Sequence, residues 1–344
     1  MNDRYAQTVG FVLAGVGLAA SFLAWPAEGA LASRAAAAFA GLAVAAFAAR
    51  RYGVDVEELD YAAGVGGVGL VVAATAGVLA VGGTLPPGPP VALFAGLGAV
   101  GLAVAAVTGL DAAAVHARER RFLVGVAVSL FALVFGSLVA TVATGFVPDD
   151  PLATVPVSTV ASSAGFGVAG LAFLGWYGGG LDVRSPTRRD LTVAAAGTVA
   201  ILALHYVMVG AVLHFDLPRT SHGLVETARE HPEILPPLVV LSYLAIGPAE
   251  ELLARNGVQK YLYGAFSRRG AVVVGCLVFA GVHLLAYAGT GATPGAVLVT
   301  LARLFVVSLV LGVTYERTDD LFAPVVVHGT YDAVQFALAY AAFA

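Results

Sequence analysis

Prolines, glycines and small clusters of charge cut this chain into eleven stretches, most of them apolar for about twenty residues at a time. Twenty residues of α-helix rise about 30 Å, the thickness of a bilayer's hydrocarbon core. In that medium each backbone N–H and C=O needs a partner within the protein, so spanning segments are helices or closed barrels. The expected fold is therefore all-α: a polytopic membrane protein of about eleven transmembrane helices. The spans are 8–25, 32–49, 61–82, 91–110, 122–146, 157–177, 191–213, 236–257, 270–288, 295–316 and 320–341. The short segment Met1 to Thr8 followed by an apolar run ending at Trp25 reads as an uncleaved first helix.

Composition supports this reading. Charged residues make up 12% of the 344 and hydrophobic ones 59%, whereas a soluble domain carries about 25% charge. The net charge of −4 comes without a basic block, which argues against nucleic acid as a partner. The single cysteine, Cys276, excludes an intrachain disulfide and a CxxC site.

Eleven spans put the N-terminus and every second loop on one side of the bilayer. That side collects Arg4, Arg50, Arg51, Arg118, Arg120, Arg121, Arg184, Arg188, Arg189, Lys260, Arg268, Arg269 and Arg317, against Arg34, Arg219 and Arg229 opposite. Cations concentrate on the cytoplasmic side, so the N-terminus is expected in the cytoplasm and the C-terminus outside, with the protein multi-pass in the cell membrane.

The first six spans are rich in small residues, such as Gly64, Gly66, Gly67 and Gly69, or Gly96, Gly98 and Gly101. Small residues let helices approach closely in lipid, and packing alone explains them. The loop Gly178 to Asp190 is the natural boundary, giving residues 1–180 as a six-helix extension without an evident role and 190–344 as a second domain. The loop from Phe215 to Leu235 is the longest and of mixed charge.

Chemistry is confined to the second domain. Glu250, Glu251 and Arg255 lie in one span, His283 in the next, Arg303 in the one after, and His328 and Asp332 in the last. Earlier spans hold only His205 at depth, read as a core histidine. A charge at bilayer depth costs roughly 2.5–3.5 kcal/mol on insertion scales, so such residues face polar cavities and carry function.

Glu251 and Arg255 are i,i+4 neighbours in the favoured order, while Glu250 is turned about 100° away and stays free of that pair. Pro248 leaves a backbone acceptor without its donor, which suits a kinked, hydrated segment. Phe279 and His283 share a helix face, and Gly281 between them leaves room for a neighbour or a substrate backbone. His328 and Asp332 form another i,i+4 pair, in which Asp332 is expected to accept from the imidazole and fix its tautomer.

In order these read E-E-x-x-x-R, F-x-x-x-H and H-x-x-x-D on neighbouring helices. The set resembles the CPBP family of intramembrane proteases, also called the Abi or CAAX-protease family, over roughly residues 190–344. The resemblance implies a peptide hydrolase acting on a membrane-associated protein or peptide at or within the lipid bilayer. Glu250 and His283 would activate a water, His328 and Asp332 would stabilise the oxyanion, and Glu251, Arg255 and Phe279 would support them. Aspartate lacks the amide donor of asparagine, so orienting His328 is the role that suits Asp332 best.

Glu250, His283 and His328 also form a His2Glu set, the ligand type of several catalytic zinc sites, though without the H-E-x-x-H arrangement. If a metal takes part, these three hold it; a metal-free glutamate mechanism is the favoured expectation. Arg303 lacks a partner on its own helix and is expected to pair with Glu250, Glu251 or Asp332 across the bundle. Two other readings compete: a non-catalytic immunity or partner-binding protein with the same fold, and a transporter using the charges as a proton relay. Against the transporter stands the lack of a detectable repeat.

Overall fold

The computed structural model describes residues 4–220, 223–287 and 292–344; the outermost residues of the expected N-terminal segment, two residues of the loop after Phe215 and position 288 of the ninth span lie outside the described residues. The protein is 82% helix, with no strand among the described residues. Its helices are α1 (Tyr5–Ala20), α2 (Ala30–Arg51), α3 (Glu58–Leu79), α4 (Gly88–Val107), α5 (Ala112–Thr144), α6 (Pro151–Tyr177), α7 (Arg188–His214) and α8 (Gly223–Glu230). They continue as α9 (Pro232–Leu262), α10 (Arg268–Tyr287), α11 (Pro294–Thr318) and α12 (Phe322–Phe343).

Each of the eleven expected spans falls on a helix. Among the described residues nine are long and apolar enough to cross a membrane, α2 to α7 and α9 to α11. The first is shorter than the sequence suggested. It stops at Ala20, where Ser21 folds back on Leu18 O (2.6 Å) and the Trp25 indole donates to Ala20 O (2.9 Å). In contrast α5 begins ten residues before the expected span, because the charged stretch around Arg118 to Arg121 continues the helix beyond its apolar part.

The chain divides into two compact units, Met1–Glu119 with Ala292–Leu298, and Arg120–Gly291 with Val299–Ala344. Within the first, α1 to α4 pack through alanine and glycine: Ala14, Ala36, Ala40, Ala43, Ala63, Ala74, Ala92 and Ala99 are fully buried around Phe47 and Leu70. At the end of α2, Arg50 pairs with Asp55 (2.8 Å) and Asp60 (3.0 Å).

In the second unit α6 lies against α9, and a Cβ on Gly170 would come within 3.2 Å of the Leu252 side chain. The loop expected as a boundary is tied into this unit. Asp182 accepts from the Tyr315 hydroxyl (2.5 Å) and Lys260 (2.6 Å), its N–H donates to Asn256 (2.9 Å), and its carbonyl caps Leu321 N (2.9 Å). Two residues on, the Arg184 N–H donates to Asp320 (2.9 Å) while its guanidinium grips Asp190 (2.7 and 3.0 Å). Asp190 in turn closes the Thr187 capping box that starts α7. One loop thus fixes α7, α9, α11 and the start of α12 relative to one another.

Candidate active site

The site is built on an irregular stretch of α9. Pro248 has no N–H to offer the carbonyl one turn earlier, and its ring crowds that group. The helix widens to π geometry over Ser242–Ile246, returns to α over Gly247–Glu251, and widens again over Leu252–Gln259. Such π segments gather at functional sites. Glycines bring α12 against this stretch. A Cβ on Gly247 would lie 2.9 Å from Ser242 O and 3.4 Å from Gly329 N, and one on Gly329 would lie 2.7 Å from the Tyr243 ring. The close approach sets His328, next to Gly329, against the two glutamates.

Glu251 is the hub. It and Arg255 are 0% exposed. Glu251 Oε2 accepts from Arg255 Nε at 2.9 Å, and Oε1 meets His328 Nδ1 at 2.8 Å. A carboxylate engaged by a guanidinium can only accept, so His328 Nδ1 carries a proton. The rest of Arg255 is also used: Nη2 donates to Ser308 (2.9 Å), Nη1 to Cys276 Sγ (3.5 Å), and the guanidinium lies 5.3 Å from the Phe279 ring centre. A buried pair is sustained by such full satisfaction rather than by Coulomb attraction alone.

On its other edge, His328 Nε2 is 3.4 Å from Asp332 Oδ2 and 3.9 Å from Glu250 Oε2. The expected Asp332–His328 pair is present, but the shorter contact to the ring comes from Glu251. Glu251, held by Arg255, reaches Nδ1 from a different helix, whereas Asp332 stands at Nε2. Glu250 keeps its side chain 27% exposed and is free of Arg255, as its helical phase required.

His283 ends the long helical stretch of α10. Its Nδ1 bonds to Phe279 O (2.7 Å), which leaves Nε2 as the free ring nitrogen, and its ring lies 4.6 Å from that of Phe279. Phe279 therefore connects His283 to the Arg255 guanidinium. Beside it, a Cβ on Gly281 would meet nothing within 4 Å, so the expected room is there. Among the described residues no carboxylate lies within 4.0 Å of the His283 nitrogens, so Glu250 and His283 are not in direct contact.

Arg303 makes no ion pair with Glu250, Glu251 or Asp332, contrary to expectation, and its Nε is buried without a hydrogen-bond partner. The reason is register. On α11 it is Ser308, more than a turn further along, that reaches Arg255, and Glu251 is already saturated by Arg255 and His328.

Ser308 and the pair His205–Tyr331 (Nδ1 to hydroxyl, 3.0 Å) were not singled out from the sequence. A serine carries no signal of its own. His205 reads as a core residue because its partner, 126 positions away, cannot be seen in the sequence.

The zinc possibility can be tested on the donors themselves. Among the described residues no three His, Cys, Asp or Glu side chains are grouped to hold a metal ion. His328 and Glu250 approach to 3.9 Å, but His283 has its Nδ1 engaged and has neither carboxylate at hand. As arranged, Glu250, His283 and His328 do not fit a three-ligand zinc site.

These features define a polytopic helical membrane protein with a carboxylate–imidazole cluster between α9 and α12. Residues 232–334 match the family model of type II CAAX prenyl endopeptidases, described as Rce1-like, a similarity consistent with the CPBP/CAAX proteases. The match spans the helices that carry all three motifs, and it supports peptidase activity in a membrane setting. No curated protein and no solved structure matches the chain.

Proposed function

We propose that the protein is an intramembrane endopeptidase of the cell membrane that hydrolyses a peptide bond of a membrane-associated substrate with a water activated by Glu250 and His283. The observation that carries this reading is the buried Glu251 bridge. Glu251 joins Arg255 to His328, which is 77 positions from Glu251, and leaves Glu250 and Asp332 together at the outer edge of the His328 ring.

In the proposed reaction the Glu250 carboxylate takes a proton from water while His283 Nε2 helps to place it, and the oxygen adds to the scissile carbonyl. A His328 ring protonated on both nitrogens donates from Nδ1 to Glu251 and from Nε2 to the developing oxyanion. Asp332 holds that Nε2–H between turnovers. Collapse of the tetrahedral intermediate breaks the C–N bond, and Glu250 returns its proton to the leaving amine. One water is consumed, and a carboxylic acid and an amine are released. Residues 190–344 carry the chemistry; the arginine distribution supports a cytoplasmic N-terminus.

The family description suggests a prenylated CAAX peptide as the first probe. A quenched-fluorescence version, offered to the protein in lipid vesicles, should be cut by the wild type and left intact by Glu250→Gln and His283→Ala proteins that melt normally. Undiminished turnover by both variants would refute the assignment. If the peptide is not cut by the wild type, a comparison of membrane proteomes with and without Glu250→Ala should show uncut precursors accumulating; identical proteomes would leave the reading unsupported.

A further inference from the structure

Three helices of the second unit step together from an apolar core to a polar layer. The core holds Ala194 and Ile201 of α7, Val307 and Leu311 of α11, and Ala323 and Val327 of α12. Four residues beyond Ile201 comes His205, and four beyond Val327 comes Tyr331, and the two are hydrogen-bonded at 3.0 Å. Helix α11 runs the opposite way: Thr314 meets α7 at Gly197, so four residues before Val307 Arg303 occupies the same level. Tyr331 is next to Asp332 on α12 and three residues from His328, so this polar layer adjoins the candidate site. Arg303 thus lies at the level of the candidate site.

A guanidinium held at membrane depth is costly unless an anion answers it. Three carboxylates stand in this neighbourhood, yet Arg303 pairs with none of them, and its Nε is buried with no acceptor. The fork of an arginine suits a carboxylate, which can accept two parallel N–H bonds. The side chain is only partly buried, so an incoming group can reach it.

We propose that Arg303 receives a carboxylate of the substrate and so selects peptides that carry one close to the scissile bond. The inference rests on the peptidase reading and names its specificity residue. The carboxylate has two sources: the C-terminus of a chain cut near its end, or an aspartate or glutamate side chain beside the cleavage point.

Three versions of the prenylated quenched-fluorescence CAAX peptide separate these. The first ends in a free acid, the second in a carboxamide, and the third is amidated but carries an aspartate next to the scissile bond. For wild type in vesicles, kcat/KM should favour the acid over the amide by roughly ten- to a hundredfold, chiefly through KM, the usual worth of a charged hydrogen bond. Arg303→Gln should collapse that ratio towards one, and Arg303→Lys should restore part of it. Preference for the third peptide over the second, lost in Arg303→Gln, would assign the side-chain source. An acid-to-amide ratio near one in wild type, with no gain from the aspartate, would overturn the proposal while leaving the peptidase reading intact. A ratio unchanged by Arg303→Gln would overturn it too and make the residue structural. No cleavage of any version by wild type would count against the peptidase reading itself and remove this one with it.

Discussion

Replacing Glu251 by alanine should damage this protein more than any other single change at the site. Glu251 is fully buried and takes one hydrogen bond from Arg255 at 2.9 Å and one from His328 at 2.8 Å. Without it the Arg255 guanidinium, itself 0% exposed, keeps Ser308 and Cys276 but loses its counter-charge. Removing one member of a buried ion pair costs about 3–5 kcal/mol. That corresponds to a fall in melting temperature of roughly 10 °C.

Glu251→Gln separates stability from chemistry. The amide oxygen can serve Arg255 or His328 but not both, and its NH2 then faces a donor. If Arg255 keeps the oxygen, His328 Nδ1 must accept from the amide and gives up its proton, so the ring loses the doubly protonated form that the proposed reaction uses. Stability should fall by only about 1.5–3 kcal/mol, the worth of a hydrogen bond to a charged group. Turnover should fall much further: the same exchange at the orienting carboxylate of a Ser-His-Asp triad costs about ten-thousandfold in kcat. Thermal unfolding in detergent and cleavage of the quenched peptide read the two effects. A Glu251→Gln protein with wild-type melting and wild-type turnover would refute the bridging role.

Gly329→Val should force α12 away from Tyr243, since even a Cβ at 329 would lie 2.7 Å from that ring; a loss of about 1–3 kcal/mol with a larger drop in cleavage is expected, from melting and turnover measured on one preparation. Asp182→Ala should strand the buried Tyr315 hydroxyl and release Lys260, lowering stability by about 1–3 kcal/mol. Hydrogen exchange should then rise in the 178–190 loop and at the start of α12 while α6 stays protected.

Much of this architecture is legible in the chain because lipid is a strict solvent. Apolar length and the placement of prolines put each expected span on a helix, though not the short α8 in the loop after Phe215. Helical phase alone gave the Glu251–Arg255 pair, the freedom of Glu250 and the shared face of Phe279 and His283. What phase cannot give is contact between helices. Asp332 looked like the partner of His328 because it is one turn away on the same helix, yet the short bond comes from Glu251 across the bundle. Arg303 was assigned to carboxylates on charge alone, and the register of α11 gave that direction to Ser308 instead. Pro248 signalled irregular backbone but not its form; whether a helix kinks or widens depends on what packs against it, here Gly329 and Tyr243. The loop at 178–190 reads as a boundary from its glycines, but Asp182 and Arg184 make it a clasp through partners more than seventy positions away.

The central claim is that Glu250 draws a proton from a water held between helices, so that the oxygen of that water enters the product. Single-turnover cleavage in H218O, with wild type and Glu250→Gln side by side in vesicles, tests it most directly. Wild type should place one 18O in the new carboxyl group, and the Glu250→Gln protein, melting as the wild type does, should form no product. Labelled product from Glu250→Gln at the wild-type rate would contradict the claim.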